Sequence, residues 1–421
     1  MKPLMKSTLT AVTALAMGLT TAAHAENIEF MGWTYTEDTG REPIQAMLDG
    51  FMASEGIEVT PLGYAWGEMQ RNTFLRSRSN TLPDVSQVQG RFLPVFAGLP
   101  QTVDLDEVFG ADTLSETFSP SFLPMGSVDG RQIAVPWISG TVGMVANLAV
   151  LEAAGIDEVP ETMDEFREAL IAVRDNVPNS VPYTMATTNN SSIALDYMIW
   201  VWTFGGSAIG EDGTVGVNTP EALAALEFMT ELVDSRLAAP EIDRPDARRL
   251  FAQGASAFYL DSPQARSFAR QFSGEGEAYD KNVLPITVPV LEQGNTPASM
   301  QWGHLLTLYS DSPITAESPS AKFLMYLMED EQLVDYAVNQ SVLPATRSGL
   351  NHPRIQEDSY LAAWAAAAIE PRRNTLGSLS NSAIVQDIMG EEIQSALLDL
   401  KSPQEAANAM QQRLEQAMME N

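Results

Sequence analysis

The chain alternates short apolar runs with stretches whose apolar residues recur every three to four positions, the pattern of strands interleaved with helices. Ile28-Glu29-Phe30-Met31-Gly32 reads as a first strand. Behind it, Ile44, Met47, Leu48 and Phe51 share one face of a helix expected from about Glu42 to Ser54, with Gly56 closing it. Ile57-Glu58-Val59 begins a second strand, a basic helix runs from Met69 to Ser79, and Leu82-Pro83-Asp84-Val85 leads into a third strand. Thr162-Met163-Asp164-Glu165 and Ser402-Pro403-Gln404-Glu405 are capping boxes: the hydroxyl accepts from the N–H three residues on, and the glutamate reaches back. The second box opens a helix with Ala406, Met410, Leu414 and Ala417 on one stripe. No repeat, low-complexity tract or flexible linker interrupts the pattern, so a chain of 421 residues is expected to form two lobes joined by strands that cross between them.

The N-terminus reads as an address. Lys2 and Lys6 precede an apolar stretch from Leu9 to Leu19, and Ala23-His24-Ala25 supplies a small-x-small cleavage site, so residues 1–25 are expected to be removed. The apolar run is shorter than the ~20 residues of a membrane span. There is no cysteine, hence no disulfide and no lipid-bearing cysteine at the new N-terminus. A freely diffusing periplasmic protein, a monomer, is the expectation. The formal net charge of −31 excludes nucleic acid as a partner and argues against anionic membrane surfaces. It equally suits a solvated surface in a salty habitat.

The order of short motifs resembles the bacterial extracellular solute-binding proteins of the maltose-binding type. Leu82-Pro83-Asp84-Val85, Gly130 to Trp137, Gly143-Met144-Val145-Ala146-Asn147, Ala154-Gly155-Ile156 and Pro160 to Phe166 follow the family's sequence. Phe251 to Phe258, Leu284-Pro285, Ala321 to Leu327 and Leu343-Pro344-Ala345 complete the series. The resemblance implies an α/β, two-lobed periplasmic binding fold with a hinge and an interlobe cleft. The first lobe would hold residues 26–137 and 286–341, the second 138–285 and 342–421, with passages near 136–140, 285–289 and 341–344. It also implies a carbohydrate ligand and, as partners, the membrane permease subunits of an ABC importer.

A sugar presents apolar C–H faces and a rim of hydroxyls, so its site needs aromatic platforms beside bidentate polar groups. Candidates stand after the expected strands: Trp33, Tyr35 and Glu37 after the first, Trp66 after the second, and Gln87, Gln89 and Arg91 after the third. Trp137 and Ser139 lie at the first passage, Trp302, Gly303 and His304 after the second, Asp261 at the end of an apolar strand, and Arg347 after the third. Asn189 belongs to a polar run. Trp200, Trp202 and Trp364 sit in apolar surroundings and read as core. Asp261 and Arg347 suit surface ion pairs as well as ligand, and His304 suits a core role as well. Arg91 and Arg347 raise the further possibility of an anionic sugar, because a guanidinium binds oxyanions through two parallel bonds.

Catalytic signatures are missing: no Gly-x-Ser-x-Gly, His-Glu-x-x-His, Walker loop or dinucleotide fingerprint occurs. The three histidines offer little for a metal cage, and neither metal nor cofactor is expected. A glycosidase, which needs only two carboxylates, is the surviving enzyme alternative. A polyol, a glycerol phosphate or another compatible solute are the alternative ligands.

Overall fold

The computed structural model describes residues 27–419 apart from 190, 368–370 and 380; the expected leader lies outside the described residues. Eleven strands follow in order among the described residues: β1 (Asn27–Gly32), β2 (Glu58–Gly63), β3 (Val85–Gln89), a small hairpin of β4 (Ser127–Val128) and β5 (Arg131–Gln132), β6 (Val135–Asn147), β7 (Val181–Tyr183), β8 (Ser256–Asp261), β9 (Val283–Ile286), β10 (Met300–Leu308) and β11 (Leu343–Pro344). The main sheet runs β2-β1-β3-β10-β6-β8-β7. β1 lies parallel to both β2 and β3, and β10 antiparallel to β3. Helices cover both faces, which is why all five residues of β3 are buried.

β6 joins the two lobes. Its first part pairs with β10 as far as Val142, and from Gly143 onward it pairs with β8 and β9. β10 crosses beside it, with Trp302 opposite Gly140 and Met300 opposite Val142. The second passage therefore falls in the first half of β10 rather than at 285–289, since Val288 and Ala298 still pack in the core of the second lobe and Val290 bridges Thr162. The third falls later than 341–344. Leu343 pairs with Ser139, Ser119 N–H donates to Ala345 O, and Arg347 donates to Ser115 O, so this segment stays on the first lobe. The chain leaves along the helix Ser359–Ala367, where Trp364 Nε1 donates to Thr141 Oγ1 at 2.9 Å, and rejoins β10 by the bridge of Arg372 with Met300.

One core fills the second lobe and contains Trp200, Phe166, Tyr183 and Phe228. Another starts around Phe30, Phe51 and Phe323 in the first lobe and continues to Phe251, Tyr259 and Trp364. β8 feeds both, because successive side chains point to opposite faces: Phe258 and Leu260 join the former core, Tyr259 the latter. Each such side chain contributes about 1.5–3 kcal/mol on burial.

The first helix spans Asp38–Glu55, beginning earlier than Glu42, with Pro43 inside it. A proline there cannot donate to the carbonyl of Thr39, four residues back. Gln340 replaces the missing donor: its Nε2 bonds Thr39 O at 2.6 Å. Gln340 lies on the helix Asp330–Gln340, so a distant element completes the first turn. Behind the passages, Arg266 binds Asp358 through both carboxylate oxygens at 2.8 and 2.7 Å and Ser341 Oγ at 2.9 Å, and its guanidinium covers the Tyr360 ring. Both expected capping boxes are formed.

Candidate functional site

The loop after β1, the end of β3, the start of β10 and the helix Arg244–Ala252 converge on one cleft where the lobes meet. Its main chamber, about 670 Å³, is lined by Trp33, Glu37 and Trp66 from the first lobe and by Asn189, Arg248, Asp261 and Ser262 from the second, with Trp302 and His304 between. That volume lies within the range of small-molecule sites. A recess of about 110 Å³ shares Trp66, Trp302 and His304 and adds Gln89, Gly303 and Arg373. Trp302 packs against both lobe cores, so it sits on the line where the lobes articulate. Gly303 permits the approach of β6, because a Cβ there would meet Ile138 O at 2.7 Å.

The His304 ring is the node of the first-lobe wall. Trp33 and Trp302 each stand edge-on to it, with centroids 4.7 Å away. Thr34 N–H donates to Gln87 Oε1 at 3.1 Å, which orients the amide so that Gln87 Nε2 donates to His304 Nδ1 at 2.9 Å. An accepting Nδ1 places the ring proton on Nε2, leaving that N–H as a donor for a bound molecule. Burial drives the His304 pKa down to about 3, so the ring is neutral throughout the physiological range.

On the second-lobe wall, Arg248 grips Asp261 through two bonds of 2.7 and 2.9 Å, and Ser262 N–H donates to the same carboxylate at 2.8 Å. Burial alone would raise Asp261, but the charge and bonds of Arg248, aided by Arg244, hold it below the usual carboxylate range. Arg244 is engaged with Asp196 and with Leu260 O. Facing this wall, the Glu37 carboxyl makes no hydrogen bond or ion pair among the described residues. Desolvation pushes it up to about 7; Arg248 pulls it down and Asp261 pushes it further up. Among the described residues that line the cleft, two buried polar atoms lack partners: Gln89 Oε1 and Ser262 Oγ. Burying such an atom unpaired costs about 1–3 kcal/mol, which a ligand hydroxyl would relieve.

Trp33, Glu37, Trp66, Asn189, Asp261, Trp302 and His304 thus meet at the chamber, and Gln89 and Gly303 at the recess. Gln87 stands one layer behind, orienting His304. Four expectations are corrected. Trp137 is fully buried and stacked on Tyr336 at 4.3 Å, because it points from β6 into the first-lobe core. Ser139, on the same face of that strand, is covered by β11 and donates to Leu343 O. Tyr35 turns outward to Gln45, its hydroxyl donating at 3.0 Å. Arg347 lies exposed on the first lobe, tied to Ser115 O. The Arg91 side chain lies outside the described part of the structure. Arg244, Arg248 and Asp196 escaped the reading of the sequence, although three arginines between 244 and 249 in so acidic a chain are a signal that could have found them.

Residues 46–363 match the sequence pattern defining the bacterial extracellular solute-binding proteins. The chain is 22% identical over 354 residues to a Brucella abortus protein assigned as a binding protein, covering 81% of this chain and 82% of that one. It is 24% identical over 250 residues to a Deinococcus radiodurans protein assigned as an ABC transporter-binding protein, covering 58% of each. Maltose-bound MalE3 of T. maritima superposes with a TM-score of 0.80 at 22% identity, over 93% of this chain and 99% of that one.

Proposed function

The chain belongs to the bacterial extracellular solute-binding proteins, and from that premise we propose that it captures a carbohydrate between its lobes and delivers it to the permease subunits of an ABC importer. Its site of action is the periplasm, reached through removal of residues 1–25. Closure of the lobes about the solute creates the form that the permease recognises.

The observation that carries this reading is the make-up of the chamber: two half-buried indoles, Trp66 and Trp302, backed by the buried Trp33, around a volume whose buried Ser262 Oγ has no partner. Flat aromatic faces suit the C–H faces of a pyranose, and unpaired polar atoms suit its hydroxyls. The relative assigned to an ABC transporter and the maltose-bound neighbour of the same fold support it. Among the described residues no helix is long and apolar enough to cross a membrane, and no group of His, Asp or Glu could hold a metal ion.

The test is a thermal-shift screen of residues 26–421 against mono- and disaccharides, uronates, sugar phosphates and polyols. A ligand at a hundredfold excess over Kd stabilises the folded state by about 2.7 kcal/mol. A shift for one sugar class, with the sugar recovered intact, supports the reading. No shift with any sugar sinks it, and slow cleavage of an oligosaccharide points to a glycosidase instead.

A further inference from the structure

The charges around the chamber are unevenly spent. Its charged lining residues are Glu37, Asp243, Asp261 and Asp387 against Arg244 and Arg248. Both guanidiniums are already committed to carboxylates of the second lobe, Arg248 to Asp261 and Arg244 to the buried Asp196. Neither has a free fork to offer an anionic ligand. Of the two arginines expected near the ligand, Arg347 is on the outside of the first lobe, and the side chain of Arg91 lies outside the described residues. Arg373 lines only the smaller recess.

The carboxylates are differently placed. The Glu37 carboxyl has neither hydrogen bond nor ion pair among the described residues and lines the chamber from the first lobe. Asp387, an exposed residue of the helix Ser382–Leu397, adds a further negative charge to the opposite wall. Ser262 Oγ, on a residue only 2% exposed, is an unpaired polar atom at the same chamber and independently marks a place for a ligand group. The indoles beside Glu37 favour a cation as well, since an ammonium is attracted to the face of an aromatic ring.

We infer that the solute is a sugar bearing a protonated amine, seated with its ammonium against Glu37, its ring against the indoles and a hydroxyl on Ser262 Oγ. This rests on the carbohydrate reading above and narrows it to amino sugars. Glu37 is the group that selects them, and the preformed Arg248–Asp261 pair keeps the second-lobe wall from attracting anions. The charges acting on Glu37 are Arg248 and Asp261 across the cleft, and Tyr336 lies within its field; neutral His304, Arg244, Asp243 and Asp387 line the same chamber, and on its own helix Asp38 and Arg41 are exposed and ion-paired with each other. Since the carboxyl, without a cation beyond Arg248 beside it, holds its proton up to about pH 7, binding of an ammonium below that pH expels a proton.

The experiment is isothermal titration at pH 6.5 with sugars of one skeleton: glucosamine, glucose and N-acetylglucosamine, and the β-1,4-linked dimer of each. The aminated sugar of a pair is expected to bind at least tenfold tighter than its neutral counterparts. Its heat should differ between buffers of unlike ionisation enthalpy, reporting proton release. Glu37→Gln should bring the preference to within about twofold. Neutral sugars binding as tightly as the amines would overturn the inference and leave the carbohydrate reading standing, as would an amine preference that survives Glu37→Gln. If none of the six binds at millimolar concentration, the inference falls. The wild-type comparison across the three substituents needs no variant, so a misfolded Glu37→Gln cannot shield the proposal.

Discussion

Replacing Glu37 by glutamine keeps its shape and removes its charge, which isolates what the cleft does to that carboxyl. In the folded protein its pKa rises from 4.5 to about 7, mainly through desolvation. Between those values the folded state holds a proton that the unfolded chain has released, so stability is full below pH 4.5 and declines as pH climbs through about 7. At 1.36 kcal/mol for each tenfold change in proton affinity, the span corresponds to a ceiling of about 3 kcal/mol. Water reaches the part-exposed carboxyl through the cleft mouth, which reduces this to about 1.5 kcal/mol. Unfolding entropy of about 2 cal/mol/K per residue, over a chain of this length, turns that into a Tm difference of about 2 °C. Scanning calorimetry of ligand-free protein at pH 4.5 and pH 8.5 reads it. Glu37→Gln should match the wild type at the lower pH and melt about 2 °C higher at the upper. Parallel melting curves across the whole range would refute the claim that the cleft strains a buried charge.

Three further perturbations test other links. Arg266→Ala strips Asp358 of its bidentate partner behind the hinge and should cost about 3 kcal/mol or more in urea unfolding; a loss below 1 kcal/mol would show that solvent replaces the pair. Gln340→Ala should cost about 1–2 kcal/mol by orphaning Thr39 O, and much less in a Pro43→Ala background, where a restored N–H reaches that carbonyl; additive losses in the double-mutant cycle would contradict the bond's compensating role. Trp302→Ala should weaken the best sugar ligand at least tenfold by titration, whereas Trp137→Phe, buried on Tyr336 and not part of the chamber lining, should change it less than twofold; equal effects would remove Trp302 as the platform.

Much of the architecture was legible along the chain because it is local. Strand runs such as residues 28–32, the apolar face of Ile44, Met47, Leu48 and Phe51, and both capping boxes depend on neighbours a few residues away. The order of motifs likewise resembled that of a two-lobed fold, and Trp33, Trp66 and Trp302, read as ligand candidates, line the chamber. Pairings across the chain stayed hidden. Periodicity placed the first helix from about Glu42, and the approach of Gln340 to Thr39 O supports a helix that begins at Asp38. Trp137 and Trp302 looked alike beside the passages, yet strand parity and the cover of Tyr336 send the former into the core. Arg248 and Arg244 were anonymous charges until folding set Asp261 and Asp196 against them and left Glu37 without a partner. Secondary structure and its caps are written in short-range periodicity, whereas the charge state and polarity of a cleft belong to contacts between distant segments, which tertiary packing alone decides.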